Sequence, residues 1–488
     1  MMAAIDRFTP ARRLQGRTAG QPHNGRLNPR GRVPGAAQPL RGAEGASPSL
    51  ESLRPRYRAG EAHLKSGPGD RSHPRCKSAR RARVMANLSG PDDRWGGTTS
   101  PVSFLGADRM SDTPDPAPLR RTALDAAHRA LGATMTDFAG WDMPLRYGSE
   151  REEHTAVRER AGLFDLSHMG EITVAGPQAV DLLDFALVGN IGSVNEGRAR
   201  YTMICREDGG ILDDLIVYRT GADTYLVVAN ASNAQTVLDA LRERAAGFDA
   251  EVRDDRDAYA LLAVQGPAAA RILAKITDAD LDGLKYYAGL PGSAGGVAVM
   301  IARTGYTGED GFELFCAPAD APKLWGALFA AGTGSGMVPC GLACRDTLRL
   351  EAGMPLYGHE LSTALTPFDA GLGRVVKFEK TSSEGRFVGR EALEAAAEKA
   401  ASTPPRKLVG LIAAGRRVPR AGYAVVADGQ VVGEVTSGAP SPTLGKPLAM
   451  AYVDAAHAAP GTEGVGVDIR GKHEPYEVVA LPFYKRQK

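Results

Sequence analysis

No apolar run in the 488 residues comes near the ~18 that a membrane helix needs. The motifs of several large enzyme classes are also missing. There is no phosphate-cradling G-x-x-x-x-G-K-[ST], no G-x-G-x-x-G after a strand, no H-E-x-x-H and no G-x-S-x-G. Cysteine is scarce: Cys76, Cys205, Cys316, Cys340 and Cys344 form an odd set without framework spacing. That excludes a disulfide scaffold and suits free thiols in a reducing compartment. Cys340 and Cys344 lie four apart with no histidine near, so they read as small buried hydrophobes and not as zinc ligands. Histidine is thinly spread, and His168 in DLSHMG reads as a hydrogen-bonded structural residue.

What is present is the composition of a soluble globular protein, 43 % hydrophobic and 24 % charged. The net charge of +2 hides two unlike parts. Residues 1–109 hold 20 Lys+Arg against 8 Asp+Glu, and residues 110–488 hold 39 against 49. The basic arm is rich in Arg, Gly and Pro and lacks an apolar period, so it cannot bury enough surface to offset its ordering entropy. It is expected to be disordered. It reads as an over-extended start outside the native protein, as a transit peptide or as a functional basic arm. MSDTPDPAPLRR, beginning at Met110, looks like a cytosolic N-terminus before the folded pattern. The acidic body fits no nucleic-acid role.

In that body, ITVAGPQAVDLL at 172–183 is echoed by LLAVQGPAAARIL at 261–273, each a strand, a Gly-Pro and a helix. The echo predicts two similar α+β units, each built as a split β-α-β half. ARYTMICREDGGILDDLIVYRTGADTYLVVAN predicts two or three strands with a turn at Asp208-Gly209. ASNAQTVLDALRERAAGF predicts a helix capped by Ser232 or Asn233. CGLACRDTLRLEAG predicts another, stopped by Gly353, and AEKAASTPPRK, around residues 396 to 406, reads as a linker. Beyond it, period-2 segments with a turn at Asp428-Gly429 predict a small β-barrel.

Chemistry-bearing residues concentrate in three places. In GGILDDLIVYR, period 2 puts Asp214 and Tyr218 on one face and Asp213 on the other. An inward carboxylate is costly unless something pairs with it. With Tyr201 and Asn230 on neighbouring strands, these residue types suit a flat, nitrogen-rich heterocycle. Pattern alone favours the plainer alternative, a solvated edge strand. In RTGYTGEDGFEL, Glu309 and Asp310 read as an exposed turn and Glu313 as part of a polar sheet face. Arg345 and Arg349, one helical turn apart, read either as surface i,i+4 partners or as a fork for a ligand carboxylate.

FAGWDMPLRYGS, GLFDLSHMGEI, GGILDDLIVY, TGYTGEDGFEL, GLACRDTLRLEAGMPLYG and VTSGAPSPTLG follow in this order. From about residue 117 to the C-terminus the chain therefore resembles the aminomethyltransferases, or T-proteins, of the glycine cleavage system. The resemblance implies an α+β, three-domain folate-binding architecture around a central channel. Residues 110–395 would form two intertwined α+β domains and 405–488 the barrel. It implies transfer of the aminomethyl group on the lipoyl arm of H-protein to tetrahydrofolate, giving 5,10-methylenetetrahydrofolate, ammonia and dihydrolipoyl H-protein. Tetrahydrofolate would be a co-substrate, with no metal, nucleic acid or membrane involved. The location would be cytoplasmic, or the mitochondrial matrix if the arm is a transit peptide. By motif match, Asp214 would be the catalytic aspartate, and Tyr201, Tyr218, Asn230, Tyr306, Glu313 and Arg345 would contact folate. Asp213 does not map to a role, and no residue of the C-terminal domain is carried over, since LPFYKRQK matches loosely. A folate-dependent demethylase of the same fold and a non-catalytic folate-binding protein are the alternatives. Flavin-linked relatives lack support because nothing upstream could bind FAD.

Overall fold

The computed structural model describes residues 118–402 and 406–487; the arm expected over 1–109 lies outside them. The Gly-Pro echo marks a duplication. The first unit runs through strand Gly170–Ala175, helix Ala179–Ala186, strands Ala199–Cys205, Ile211–Gly221 and Thr224–Ala229, helix Ala234–Arg244 and strand Glu251–Asp254. The second runs through strand Ala260–Gln265, helix Ala269–Leu273, strands Gly289–Ala294, Val297–Ala302 and Gly311–Cys316, helix Ala321–Thr333 and the short strand Val338–Pro339. Both sheets have the same spatial order: the three-strand meander, then the first strand, then the last. Each unit is thus a split β-α-β with three strands between its helices, the upper of the two counts expected for the first. The second sheet also admits Gly162–Asp165 between Ala260–Gln265 and Val338–Pro339.

The Gly-Pro pair does the same work in both units. Gly176 and Gly266 have φ of +133° and +127°. A Cβ on either would stand 2.7 Å from backbone carbonyl oxygens, of Asp249 and of Arg160 and Val157 respectively. Only glycine fits there, so the strand can turn closely under its helix.

Strand alternation then sorts the side chains into layers. Ile172, Val174, Leu215, Val217 and Val227 pack against Leu182, Leu183, Val237 and Leu241 of the first unit's helices. Leu262, Val264, Ile301, Phe312 and Leu314 pack likewise against Ile272, Leu324 and Leu328 in the second. The opposite faces meet each other through Tyr218, Leu226, Val228, Leu261, Ala263 and Phe315. The result is helix, sheet, sheet, helix, with three apolar interfaces. Each fully buried Leu, Ile or Val in them contributes about 1.5–3 kcal/mol.

The six C-terminal strands close into a barrel, in the order Arg406–Ala413, Pro447–Asp454, Gln430–Pro440, Ala424–Ala427, Val465–Asp468 and His473–Val479. Its joint to the double unit combines an apolar cluster, Leu350 against Ala439, Leu448 and Met450, with a buried polar network. Glu351, at the end of helix Leu342–Glu351, is fully buried. It accepts from Ser441 Oγ at 2.5 Å, Thr443 Oγ1 at 2.7 Å and Arg158 Nη2 at 2.9 Å, and pairs with His154 Nε2 at 3.1 Å. Two residues earlier, Arg349 donates to Glu360 at 2.9 Å and to barrel residue Ser437 at 2.8 Å. Arg349 is 1 % exposed, so the surface reading of this helix fails: the barrel covers that face. Residues 396–402, expected as linker, belong to helix Arg390–Ser402, and 403–405 lie outside the described residues.

Candidate functional site

The Ile211–Gly221 strand is not an edge; it lies between Ala199–Cys205 and Thr224–Ala229. Asp213 points to the helix-covered side and is fully buried, while Asp214 faces the other sheet and is partly buried. Neither is solvated in the way that an edge strand would allow. Asp213 accepts from the Asn230 backbone N–H at 2.9 Å, Asn230 Nδ2 at 2.9 Å and Asn233 Nδ2 at 2.7 Å. Asn233, expected as a possible helix cap, makes no side-chain cap bond because its amide serves this carboxylate. Asp214 accepts from Asn230 Nδ2 at 2.8 Å and from the Tyr201 hydroxyl at 2.9 Å. Asn230 therefore braces both acids, which leaves its carbonyl oxygen as the amide group free to meet a ligand. Burial pushes both carboxyls above the usual range, Asp214 up to about 6, while the Tyr201 and Asn230 donors pull the other way.

Asp214 opens onto a cavity of about 510 Å³ at the meeting of the two sheets. Tyr201, Tyr218, Asn230, Tyr306, Glu313 and Arg345, the other residues singled out in the sequence, line the same cavity. The second unit supplies Tyr306 from a loop built on Gln265, a buried side chain, and Glu313 from strand Gly311–Cys316. Gln265 Nε2 donates to Thr304 O at 3.0 Å, and its Oε1 accepts from Thr307 Oγ1 at 2.9 Å. Gly305 leaves room for that amide; a Cβ there would lie 2.0 Å from it. Tyr306 donates its hydroxyl to Pro355 O, so its ring stands fixed under the Arg345 guanidinium, 4.8 Å from the centroid. Glu313 accepts from Thr304 Oγ1 and from the Tyr218 hydroxyl at 3.4 Å, and burial pushes its carboxyl up. Glu309, expected in an exposed turn, is instead buried and paired with Arg158 at 2.8 Å.

Three further parts of the wall carried no clear signal in the sequence. The loop Leu166–Met169 is held by Asp165, which accepts from Ser167 N at 2.9 Å and Thr122 Oγ1 at 2.7 Å and pairs with His128 at 2.8 Å. It presents His168 to the cavity. The expected hydrogen-bonded role fails: His168 is 3 % exposed and its Nδ1 has no partner. Burial, and then the nearby Arg345 cation, lower its pKa to about 4, so the ring is neutral at pH 7. Phe138 and Ala139, at the tip of the hairpin Thr134–Phe138 and Trp141–Arg146, form part of the rim, Phe138 edge-on to His168 with ring centroids 5.3 Å apart. Tyr357 and His359 form another part; His359 Nδ1 reaches Thr436 O of the barrel at 2.8 Å.

Among the described residues, Glu153, Cys340 and Cys344 bring potential ligand atoms within 4.8 Å of one another. Glu153 is already engaged by the backbone N–H groups of Tyr147, Gly148 and Gly341 at 2.7, 3.1 and 2.9 Å. Burial holds the Cys344 thiol well above its usual pKa. The group packs as core, with its acid acting as a backbone brace.

The cavity thus offers a braced carboxylate at one place, a second carboxyl in another wall, an unpaired guanidinium stacked on a ring, and aromatic sides. Residues 124–380 match the model of the GCVT N-terminal domain, and residues 406–485 that of the glycine cleavage T-protein C-terminal barrel domain. An aminomethyltransferase of Streptomyces coelicolor is 82 % identical over 76 % of this chain and 99 % of its own length. One of Geobacillus kaustophilus is 47 % identical over 76 % of this chain and 100 % of its own. The crystal structure of glycine cleavage system aminomethyltransferase T from Bartonella henselae matches with a TM-score of 0.69 and 38 % identity, over 75 % of this chain and 98 % of that one. The chain belongs to the glycine cleavage T-protein family of aminomethyltransferases.

Proposed function

We propose that the chain moves the one-carbon unit of an aminomethyl group, carried on the lipoyl arm of H-protein, to tetrahydrofolate. The observation that carries the reading is Asp214, a carboxylate held by Tyr201 and Asn230 at the wall of a cavity whose aromatic and acidic lining suits a reduced pterin. A volume of about 510 Å³ is within the range of ligand pockets. Glu313 can accept from the N–H groups of the pterin edge, the tyrosines stack on its rings, and Arg345 offers its fork to an oxygen of the ligand.

In the reaction the carbon–sulfur and carbon–nitrogen bonds of the aminomethyl group break, and two bonds form from that carbon to N5 and N10 of the folate. The two folate N–H protons end on the thiol of the lipoyl arm and on ammonia. Cationic character develops on the carbon as ammonia leaves, and a fixed carboxylate at that point stabilises it without reorganisation. Asp214 also suits a proton shuttle from folate nitrogen. H-protein as partner, tetrahydrofolate as co-substrate and a reducing cytoplasm belong to this reading. Free, buried Cys205, Cys316, Cys340 and Cys344 suit such a compartment. None of the helices among the described residues is long and apolar enough to cross a membrane.

The decisive experiment combines the full chain with aminomethylated lipoyl H-protein and tetrahydrofolate and follows methylenetetrahydrofolate and ammonia. Both should appear in equal amounts; the absence of either product sinks the reading. A second expectation concerns His168. With His168→Phe, ring volume is kept and both nitrogens go, so tetrahydrofolate should bind about tenfold more weakly, as for one lost hydrogen bond. Calorimetry showing unchanged affinity would make the ring a filler.

A further inference from the structure

Tyr287 carries two costs that the reaction as described does not explain. The two sheets are stitched edge to edge by reciprocal backbone bonds: Gly289 N–H donates to Gly197 O, and Ala199 N–H to Tyr287 O, both at 2.9 Å. Each unit then closes its own side alike. Gly197 N–H donates to Arg219 O at 2.8 Å and Arg219 N–H to Arg198 O at 2.9 Å. In the other unit Tyr287 N–H donates to Arg303 O at 3.1 Å and Arg303 N–H to Ala288 O at 2.8 Å. Gly197 and Tyr287 are therefore twin positions of the duplication. Both are left-handed, with φ of +73° and +57°. Glycine takes that conformation freely; a bulky aromatic residue does so only under strain.

The second cost is the Tyr287 hydroxyl, which is buried without a hydrogen-bond partner. It lies within electrostatic reach of Tyr218, Glu313, Asp214 and Tyr201, all of which line the cavity. Strain and an orphaned hydroxyl in one residue, in the neighbourhood of four residues of one site, point to use at that site. Tyr287 does not itself form part of the cavity lining, so its action runs through a neighbour. Tyr201 is the suitable one: it donates its proton to Asp214, and its oxygen can still accept.

We infer that Tyr287 is a positioning residue for Asp214, acting through Tyr201. With substrate bound, its hydroxyl donates to the Tyr201 oxygen and steadies the Tyr201–Asp214 bond in the orientation that the transfer needs. The inference rests on the function proposed above. Besides Tyr287, the titratable groups around Asp214 are Asp213, Tyr201, Tyr306 and Tyr357.

Tyr287→Phe in the full chain tests it, because the ring and the backbone conformation stay while the hydroxyl goes. In the reconstituted assay kcat should fall about tenfold with KM for tetrahydrofolate nearly unchanged, the cost of one lost hydrogen bond to the transition state. The acid limb of kcat should move up by about half a pH unit or more, since ionised Asp214 loses support. Wild-type kcat and an unmoved limb overturn the inference, because a merely structural tyrosine would leave both alone. If wild-type protein itself makes no product, the proposed function fails and the inference is decided separately. Carboxyl-carbon NMR with tetrahydrofolate bound, assigned by the signal lost in Asp214→Asn, reads the Asp214 titration without turnover. An upward shift in Tyr287→Phe supports the inference, and an unshifted titration overturns it.

Discussion

Asp214→Asn should abolish turnover and, at the same time, make the folded chain more stable at pH 7. The loss of activity follows from the role proposed for Asp214; kcat should drop by about 10²–10³ or more, as for the removal of one fixed electrostatic group. The gain in stability follows from the sign of the carboxyl's shift. Burial raises Asp214 to about 6 in the folded chain, above the ordinary value of about 3.9 for an unfolded aspartate. Between those values the folded state holds the extra proton, so stability falls as pH rises from about 4 to about 6 and stays reduced above. Asparagine has no proton to lose, and it also relieves the like charge that raises neighbouring Asp213. The expected gain is about 1–2 kcal/mol at pH 7, vanishing below about pH 4. Urea unfolding at pH 7 and near pH 4, alongside the assay, checks both halves. Near wild-type turnover, or a less stable variant at pH 7, would remove Asp214 from this role.

Glu351→Ala should be the most damaging substitution away from the cavity. One buried carboxylate there gathers His154 and Arg158 from helix Glu150–Glu159, Ser441 and Thr443 from the barrel, and the end of its own helix. Removing it takes one of two carboxylates from the buried Arg158 guanidinium, which keeps Glu309, and deprives His154 and two hydroxyls of their acceptor, a change worth about 2–4 kcal/mol. Burial opposes its ionisation, but the bonds and charges of His154 and Arg158 prevail and hold it at about 2. Its contribution is therefore complete above the unfolded value of about 4.3 and is lost as pH falls through about 2. Denaturant unfolding should show the wild-type advantage intact at pH 6 and shrinking below pH 4. A difference under about 1 kcal/mol at pH 6 would mean that apolar contacts alone seat the barrel.

Local pattern carried much of this protein. Period 2 placed Asp213 and Asp214 on opposite faces, and the Gly-Pro echo disclosed the duplication. What pattern could not give was the environment of the other face. Asp213 looked incidental because its partner Asn233 comes from the start of a helix 20 residues later and was read through its capping chemistry. Glu309 and Arg349 follow rules for turns and helix surfaces, and both rules fail where another element lies on top. The strand Gly162–Asp165 sits in a sheet whose other members begin almost a hundred residues later. For His168 no neighbour in sequence hints at a ring left without a partner. The cavity residues became legible together only through motifs in fixed order, because their convergence is a property of tertiary structure.

The reciprocal bonds of the seam also fix which positions correspond between the two halves. Tyr218 pairs with Ala199 as Ala302 pairs with Gly289, and Asp214 pairs with Met203 as Ala298 pairs with Ser293. The counterpart of Asp214 is thus Ala298, an exposed alanine. By the same register Glu313, opposite Ala302, corresponds to Leu226, opposite Tyr218. Each acid has an apolar twin, so in the proposed reaction the halves would divide the labour: one keeps the group that would meet the reacting carbon, the other the group that would grip the heterocycle. Symmetry of backbone survives with no redundancy of chemistry, and neither half can stand in for the other.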